Sequence, residues 1–180
     1  MSRIGLLPKP WPEAFAAAME RVMPPGAEPL ALFTAVAQSP RAWDRFSGWS
    51  MAGKGPLDFR TREIVIDRTA ARTGCEYEWG THMTLFAQKA GFTPAQVRST
   101  FDGDADDGNW TSAEAAAIAS VDALLASKKL TDAEFERLAE HFDTAQILEI
   151  VQLTAFYHGV ALITGALALA PEQGMMRFPV

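Results

Sequence analysis

Cysteine is almost absent from this sequence of 180 residues, which contains only Cys75. A single cysteine cannot form an internal disulfide, and it cannot supply a zinc site built from several thiolates. The sequence therefore excludes disulfide-stabilised secreted scaffolds and zinc ribbons. It also excludes a redox cycle in which two thiols of the same chain form and break a disulfide.

Positive charge is scarce as well. Lysine and arginine total 16 against 22 aspartate and glutamate residues, so the net charge is −6, and no basic run is longer than Lys128-Lys129. Binding to nucleic acid or to an anionic membrane depends on clustered basic side chains. We therefore expect no nucleic-acid partner and no membrane partner, and the expected ligand is a small molecule.

No targeting segment or membrane span is predicted. The apolar stretch at the start is too short for a signal peptide and is interrupted by Pro8 and Pro10, so we expect a cytoplasmic protein. Residues 150–170 contain no charged side chain over 21 positions, which is long enough to span a bilayer. This segment contains Gln152, Thr154 and His158 and lacks a basic flank. We expect it to form a buried central helix or a subunit-interface helix.

The pattern of apolar residues predicts an all-α fold. No segment alternates apolar and polar residues over a sustained length, as a β-strand would. Capping boxes, in which a side-chain oxygen is followed three residues later by Glu or Gln, begin helices at Thr93, Thr111 and Thr131, and a related pattern begins one at Asp143. The other predicted helices cover about residues 13–23, 28–38, 41–51, 58–73 and 76–90.

These helices are expected to form one domain. A chain of this length matches the size of a single domain, and no long polar linker divides it. We expect an N-terminal extension with a short helix over residues 1–28 and a C-terminal tail over residues 172–180. Between them, residues 29–171 are expected to fold as a bundle of about seven or eight helices.

An acidic loop beginning at Asp102 resembles the start of a calcium-binding loop, but its spacing fails. Asp107 stands where the sharp turn needs glycine, and Ala113 stands where the bidentate carboxylate belongs. A solvated acidic loop is the better interpretation. We therefore expect no metal site and no cofactor.

The residues that carry chemistry lie on two consecutive predicted helices. On the first, Glu63 falls on an otherwise apolar face with Ile66 and Ala70, where burial raises the pKa of a carboxylate. On the second, Cys75, Glu78 and His82 share a face at spacings of three and four. An imidazole beside a carboxylate is a minimal acid–base pair, and a nearby thiol can be activated as a thiolate. A surface Glu–His pair is the simpler alternative for the same spacing.

This spacing resembles the carboxymuconolactone decarboxylase family, which includes the alkylhydroperoxidases of the AhpD type. Cys75 follows Glu63 by twelve residues, Glu78 follows Cys75 by three, and His82 follows Glu78 by four. Redox members of the family carry cysteines at the second and third of these four positions. Because Glu78 occupies the third, the chain resembles the branch without the cysteine pair. The resemblance covers about residues 29–171 and implies an all-helical fold that assembles into trimers or hexamers.

The resemblance and the missing second thiol together predict proton-transfer chemistry. We expect a lyase, a decarboxylase that acts without a cofactor on a small carboxylated lactone or a related ring compound. His82 is the expected main acid and base, Glu78 orients it or acts as a second acid, and Glu63 relays protons. The sequence leaves the role of Cys75, the fourth catalytic candidate, open.

The sequence also predicts substrate-binding residues and leaves two alternative functions open. Trp79, Tyr77 and His158 are the predicted substrate-binding residues, since aromatic side chains commonly line ligand sites. One alternative function is a peroxidase, an antioxidant of the peroxiredoxin type, in which an external thiol resolves oxidised Cys75. The other is a non-catalytic helical assembly that binds a metabolite. The sequence does not identify which arginine would hold a substrate carboxylate among Arg41, Arg45, Arg60, Arg62, Arg68 and Arg72.

Overall fold

The structure is a computed structural model that describes residues 2–50 and 53–179. Within these residues it contains α-helices and no β-strand, so the predicted all-α class is confirmed. The first helix belongs to the predicted N-terminal extension, and the other eight lie in the predicted bundle. The helices are α1 (Glu13–Val22), α2 (Ala31–Val36), α3 (Pro40–Trp49), α4 (Phe59–Arg72), α5 (Glu76–Ala90), α6 (Pro94–Asp102), α7 (Ser112–Ser127), α8 (Asp132–Ala139) and α9 (Thr144–Leu167).

Helix α4 lies at the centre of the bundle. It packs against α5, α6, α7 and α9, and Ile64, Val65 and Ile66 are each at most 1% exposed. Three consecutive residues point in three directions around a helix, so α4 is covered on every side. The polar side chains of α4 must therefore find their partners inside the protein.

Arg68 shows how α4 meets this requirement. Its side chain is 1% exposed, and it donates to both carboxylate oxygens of Asp122 on α7, at 2.7 and 2.5 Å. It also donates to the carbonyl oxygens of Ser99 and Gly103 at the end of α6. This network fixes the rotation of α4 about its own axis. Removing one partner of a fully buried ion pair costs about 3–5 kcal/mol, and the 30% exposure of the Asp122 side chain lowers this cost here.

A tight turn at Gly74 joins α4 to α5. Gly74 has φ 68°, in the left-handed region that favours glycine, and the amide of Cys75 donates to the carbonyl of Ala70 at 2.8 Å. Helix α5 ends at Ala90, followed by Gly91 in a left-handed conformation. The predicted helix over residues 76–90 is thus confirmed, and the short turn places α5 directly beside α4.

The predicted helix starts are confirmed where the signal is a capping side chain. The carboxylate of Asp58 accepts the amide of Thr61 at 3.0 Å and so caps α4. Both hydrogen bonds of the capping box are present at the four predicted boxes, whose N-cap residues are Thr93, Thr111, Thr131 and Asp143. These local hydrogen bonds depend only on neighbouring residues, which explains why the sequence predicts them well.

Helices α2 and α3 differ from their predicted bounds. Helix α2 begins only at Ala31 because Leu30 keeps a non-helical backbone, and the side chain of Glu172 accepts the amide of Ala31 at 2.7 Å. A distant residue thus supplies the cap, which sequence neighbours could not indicate. Helix α3 ends at Trp49, whereas the predicted end at Met51 lies outside the described residues.

Helix α9 crosses the bundle with one buried face and one exposed face. Ile150, Leu153 and Val160 are at most 1% exposed, whereas Leu148 and Leu162 are 57% and 64% exposed. Among the described residues, α9 is the one helix long and apolar enough to cross a membrane. Its inner face is part of the hydrophobic core, as expected of a central helix. Its assembly role stays a prediction.

The C-terminal tail lies along the surface of α5. The ring of Phe178 packs against Trp79, with 5.4 Å between the centroids, and the amide of Met176 donates to Thr84 Oγ1 at 2.8 Å. The backbone of the tail passes so close to Gly80 that a Cβ there would overlap the carbonyl oxygen of Met176. Glycine is therefore required at this position of α5.

We predict that Gly80→Ala destabilises the protein, although alanine normally stabilises a helix interior by about 1 kcal/mol relative to glycine. The added methyl group must displace the tail, so the free energy of unfolding should fall by about 1–3 kcal/mol in a denaturant titration. Gly159→Ala in α9 is the matched control, because nothing lies within 4 Å of its added Cβ. A Gly80→Ala variant as stable as this control would contradict the prediction.

Candidate active site

Glu63, Glu78 and His82 form a buried cluster between α4 and α5. The imidazole Nδ1 of His82 lies 2.8 Å from Oε2 of Glu63, and its Nε2 lies 3.3 Å from Oε1 of Glu78. All three residues are buried, at 3%, 6% and 9% exposed respectively. Each ring nitrogen of His82 therefore faces a carboxylate. The structure brings together the three residues to which the sequence assigns proton transfer, although these roles stay predictions.

Two kinds of contact produce this cluster. Glu78 precedes His82 by one turn of α5, so the two side chains share a helix face. Glu63 comes from α4, and its contact with His82 depends on how the two helices pack. The imidazole is held between two aromatic rings, with centroid distances of 5.2 Å to Phe86 and 5.3 Å to Tyr157. The ring of His82 is thus fixed in both position and orientation.

Asp67 and Tyr157 also belong to the site, although sequence reasoning did not select them. Asp67 follows Glu63 by one turn of α4 and is 1% exposed. That spacing of four was a usable signal, since a second carboxylate on the same helix face is unusual. Tyr157 reaches the site from α9 and is 8% exposed. No local pattern marks it, because its contact with His82 joins distant parts of the chain.

Polar atoms without a hydrogen-bond partner concentrate around this cluster. In the described part of the chain, four buried side-chain atoms have no such partner, and three of them belong to Arg62, Asp67 and Glu78. The atoms are Arg62 Nε, Asp67 Oδ1 and Glu78 Oε2, while the fourth is Glu172 Oε2. Buried polar groups in native proteins nearly always have partners. Their concentration here is unusual for a protein interior, and a ligand or ordered water would satisfy them.

The charges of the cluster favour a protonated His82. Burial disfavours the imidazolium, but hydrogen bonds to Glu63 and Glu78 and the charges of these carboxylates raise the pKa of His82 to about 10. Burial, reinforced by the neighbouring carboxylates, raises the pKa of Asp67 well above its usual range, although the charge of His82 opposes this. At neutral pH the site therefore holds an imidazolium and a neutral carboxylic acid, both able to donate a proton.

Cys75 lies at the start of α5 and is 5% exposed. Its Sγ is 3.3 Å from the hydroxyl Oγ1 of Thr164 on α9. Burial raises the pKa of the Cys75 thiol, which keeps it in the less nucleophilic thiol form at neutral pH. The shared helix face predicted for Cys75, Glu78 and His82 does not expose the sulfur at a rim.

The predicted substrate-binding residues lie in three different environments. The hydroxyl of Tyr77 donates to Glu172 at 2.6 Å and accepts the amide of Leu32 at 3.1 Å. Trp79 is fully buried, and its indole donates to Thr100 Oγ1 at 3.0 Å. His158 is half-buried on α9. The hydrogen bonds of Tyr77 and Trp79 connect parts of the core, and binding of a substrate by any of the three stays a prediction.

The six arginines that could hold a substrate carboxylate differ in their exposure and in their ion-pair partners. Arg60, Arg68 and Arg72 form ion pairs with carboxylates of α7, and Arg41 and Arg45 lie on the surface. Arg62 differs, because its side chain is 12% exposed and its Nε lies 3.9 Å from the nearest oxygen of Glu149, beyond hydrogen-bonding distance. Arg62 is therefore the arginine with a buried donor still available.

The cluster is almost fully enclosed. The side chains of Glu63, Glu78 and His82 are 5%, 8% and 11% exposed. Cavities of about 320 and 420 Å³ lie elsewhere, the first beside Trp11 and the second beside the acidic loop. No group of three or more possible metal ligands was found among the described residues.

The helical fold is similar to that of solved AhpD-like structures. The sequence model of the carboxymuconolactone decarboxylase family matches residues 37–122, which include Glu63, Cys75, Glu78 and His82. This match over part of the chain confirms the resemblance seen in the sequence. The matched segment is shorter than the predicted one over 29–171. No protein of curated function matches the chain in sequence.

Solved structures share the fold at low sequence identity. A peroxidase-related protein from Silicibacter sp. TM1040 is 19% identical, with a TM-score of 0.80 over 99% of this chain and 96% of that one. One from Ralstonia eutropha JMP134, described as an alkylhydroperoxidase AhpD core, is 19% identical, with a TM-score of 0.79 over 96% and 93%. A variant of the debrominase Bmp8 in complex with 2,3,4-tribromopyrrole is 19% identical, with a TM-score of 0.75 over 96% and 95%. Such identities show the fold alone.

We predict that His82 titrates well above its ordinary pKa of 6.5 in an NMR pH titration, at a value near 10. A raised pKa in the folded state stabilises the protein fully below pH 6.5, and this stabilisation is lost as the pH rises towards 10. The loss is at most about 1.4 kcal/mol per pH unit. His82→Asn should lack this part of the pH dependence, whereas titration of His82 near pH 6.5 would contradict the prediction.

Proposed function

We propose that this protein is an acid–base enzyme that decarboxylates a small carboxylated lactone or a related ring compound without a cofactor. The supporting observation is that His82 is held between Glu63 and Glu78 in a buried cluster. General acid catalysis requires a positioned group that carries a proton at the operating pH, and His82 is protonated at neutral pH. The coarser assignment to the carboxymuconolactone decarboxylase family rests on the sequence match.

In the proposed reaction, the bond between the substrate carboxylate and the ring carbon breaks and CO₂ leaves. The electron pair stays on the ring carbon and is shared with an adjacent carbonyl oxygen. His82, as an imidazolium, then donates a proton to that carbon. Its Nε2 is the better placed donor, because its contact with Glu78 at 3.3 Å is longer than the 2.8 Å contact between Nδ1 and Glu63.

Glu63 and Asp67 complete the proton pathway in this proposal. Glu63 holds Nδ1 of His82, which fixes the orientation of the ring and stabilises its positive charge. Asp67 is a neutral acid one turn away on the same helix and stores a second proton. After each turnover, a proton from this reserve or from solvent restores the imidazolium. The roles of general acid and proton store are thus divided between two helices.

A substrate carboxylate needs a cation, and Arg62 is the candidate that the geometry favours. Its buried Nε has no hydrogen-bond partner among the described residues, and Glu149 lies too far away to accept from it. An arginine can bind a carboxylate through paired hydrogen bonds. The debrominase Bmp8 gives independent support for a ring-shaped ligand, since a variant of this protein of similar fold binds 2,3,4-tribromopyrrole.

We predict that His82→Asn lowers kcat/KM for carboxymuconolactone by about 100-fold or more, because the general acid is lost. The assay follows released CO₂ with the purified protein. Glu78→Gln and Glu63→Gln should each lower the rate by a smaller factor, since they keep the imidazole but weaken its charge and orientation. The matched control is His141→Asn, which changes an exposed histidine outside the cluster.

Full turnover by His82→Asn would contradict the role of His82. A wild-type protein that binds carboxymuconolactone but releases no CO₂ would instead favour the alternative of a metabolite-binding assembly. The folded state of each variant is checked by its circular dichroism and thermal melting. This check separates lost chemistry from lost structure, because the cluster is buried and its removal also affects stability.

The alternative function, a peroxidase that uses Cys75, is favoured by the similarity to peroxidase-related structures. The burial and raised pKa of the Cys75 thiol weaken it, because the thiolate is the form that attacks a hydroperoxide. A test can separate the two functions, since Cys75 is the single cysteine of the chain.

We predict that Cys75→Ser retains most of the decarboxylase activity and that the wild type with added dithiol consumes hydroperoxide no faster than this variant. Serine is slightly smaller and keeps a hydrogen-bonding group for Thr164, so the fold should tolerate it. Peroxide consumption is followed by loss of cumene hydroperoxide. Rapid consumption by the wild type that disappears in Cys75→Ser would contradict the acid–base proposal and support the peroxidase.

A further inference from the structure

The two tyrosines of the chain differ in how their hydroxyl groups are bonded. Tyr77 is 3% exposed, and its hydroxyl both donates to Glu172 and accepts from the amide of Leu32. Tyr157 is 8% exposed, yet its hydroxyl forms no hydrogen bond with any described residue. The hydroxyl oxygen is not one of the four fully buried side-chain atoms that lack a partner. It is therefore a donor at the edge of the cluster from which no described group accepts.

The position of Tyr157 links it to the acid–base cluster. Its ring meets that of His82 edge to face, with 5.3 Å between the centroids and an angle of 89° between the planes. A second edge-to-face contact, to Phe156 at 5.1 Å, supports the ring from its own helix. The ring is therefore held rigidly from α5 and α9, so its hydroxyl has a defined direction.

The groups around the hydroxyl determine what it can do. Burial, followed by the negative charges of Glu78 and Glu63, raises the pKa of Tyr157 well above its usual range, and the charge of Arg62 opposes this only in part. The phenol therefore stays protonated and acts as a donor. Both ring nitrogens of His82 already face carboxylates. Tyr157 is a donor beside them from which no group accepts in the part of the chain that the structure describes.

Unpaired groups near the cluster indicate the chemistry of a ligand for this site. Besides the Tyr157 hydroxyl, Nε of Arg62 is buried and without a hydrogen-bond partner among the described residues, as are Oδ1 of Asp67 and Oε2 of Glu78. The two donors, Tyr157 and Arg62, are satisfied by a ligand that carries acceptor oxygens. Carboxylates and the carbonyl group of a lactone are such acceptors, and both belong to the substrate class proposed above.

We propose that Tyr157 donates a hydrogen bond to the carbonyl or carboxylate oxygen of a bound carboxylated ring compound. The substrate class rests on the proposed function, whereas the donor role rests on the unpaired hydroxyl and its contact with His82. When the electron pair moves towards that oxygen, the hydrogen bond becomes charge-assisted and stronger. Tyr157 thus binds the oxygen that becomes negative, while His82 protonates the neighbouring carbon.

The test uses the full chain labelled with 3-fluorotyrosine, which gives two fluorine NMR signals because the chain has two tyrosines. The signals are assigned with Tyr157→Phe. Titration with carboxymuconolactone, and separately with pyrrole-2-carboxylate, should shift the Tyr157 signal and leave the Tyr77 signal unchanged. The hydroxyl of Tyr77 is fully bonded inside the protein, so it serves as an internal reference.

Kinetics give a second measurement. Tyr157→Phe keeps the ring that packs on His82 and removes only the hydroxyl, so kcat/KM should fall by about 10- to 100-fold with a larger change in kcat than in KM. Thr154→Val is the matched control, since it removes a hydroxyl of α9 that donates to the carbonyl of Ile150 in its own helix. This control should leave kcat/KM unchanged.

The outcomes separate the donor role from the proposed reaction. A Tyr157 signal that shifts in a protein releasing no CO₂ would support the donor role and count against the decarboxylase. Turnover with full activity in Tyr157→Phe would overturn the donor role and leave the decarboxylase in place. A Tyr157 signal that neither compound shifts at millimolar concentration would also overturn the donor role.

Discussion

Two carboxylates sharing one imidazole inside the protein are the constraint on which the rest of the structure depends. Burying an unpaired charge costs several kcal/mol, so Glu63, Glu78 and His82 are tolerable only in mutual contact. Glu78 and His82 meet through the geometry of α5 alone, but Glu63 reaches His82 only if α4 and α5 pack in one register. The contact between Glu63 and His82 therefore requires one particular rotation of α4 about its own axis.

The hydrogen bonds of Arg68 fix this rotation from the other side of α4. Arg68 is five residues after Glu63, so it points away from His82 and towards Asp122 on α7. The side chains of Glu63 and Arg68 are both buried, and neither can rotate into solvent without losing its partners. Opposed buried contacts of this kind hold a helix more firmly than an apolar surface does, because hydrogen bonds have a direction. The rigidity of the candidate active site thus depends on the Arg68–Asp122 contact, which lies outside the site.

Local signals explain what the sequence could predict. The bounds of α5, the Asp58 cap and the four capping boxes depend on residues within one turn of each other, and all are confirmed. Tyr157 could not be found in this way, since its contact with His82 requires α9 to pack on α5. The burial of Cys75 was missed for the same reason, because Thr164 also comes from α9. The sequence indicated which residues share a helix face, and the tertiary packing determined what that face meets.

The residue at position 78 then decides what chemistry the cluster supports. In the redox branch of the family, from which this sequence differs, the resemblance implies a thiol at this position, and a thiol this close to an imidazole is easily converted to a thiolate. Here the carboxylate of Glu78 lies 3.3 Å from Nε2 of His82 and helps to keep the proton on the ring. The remaining thiol, Cys75, is buried beside a hydroxyl and far less reactive. In the proposed function, a carboxylate in place of a thiol at this helix position favours proton transfer over thiol redox chemistry, with the same histidine beside it.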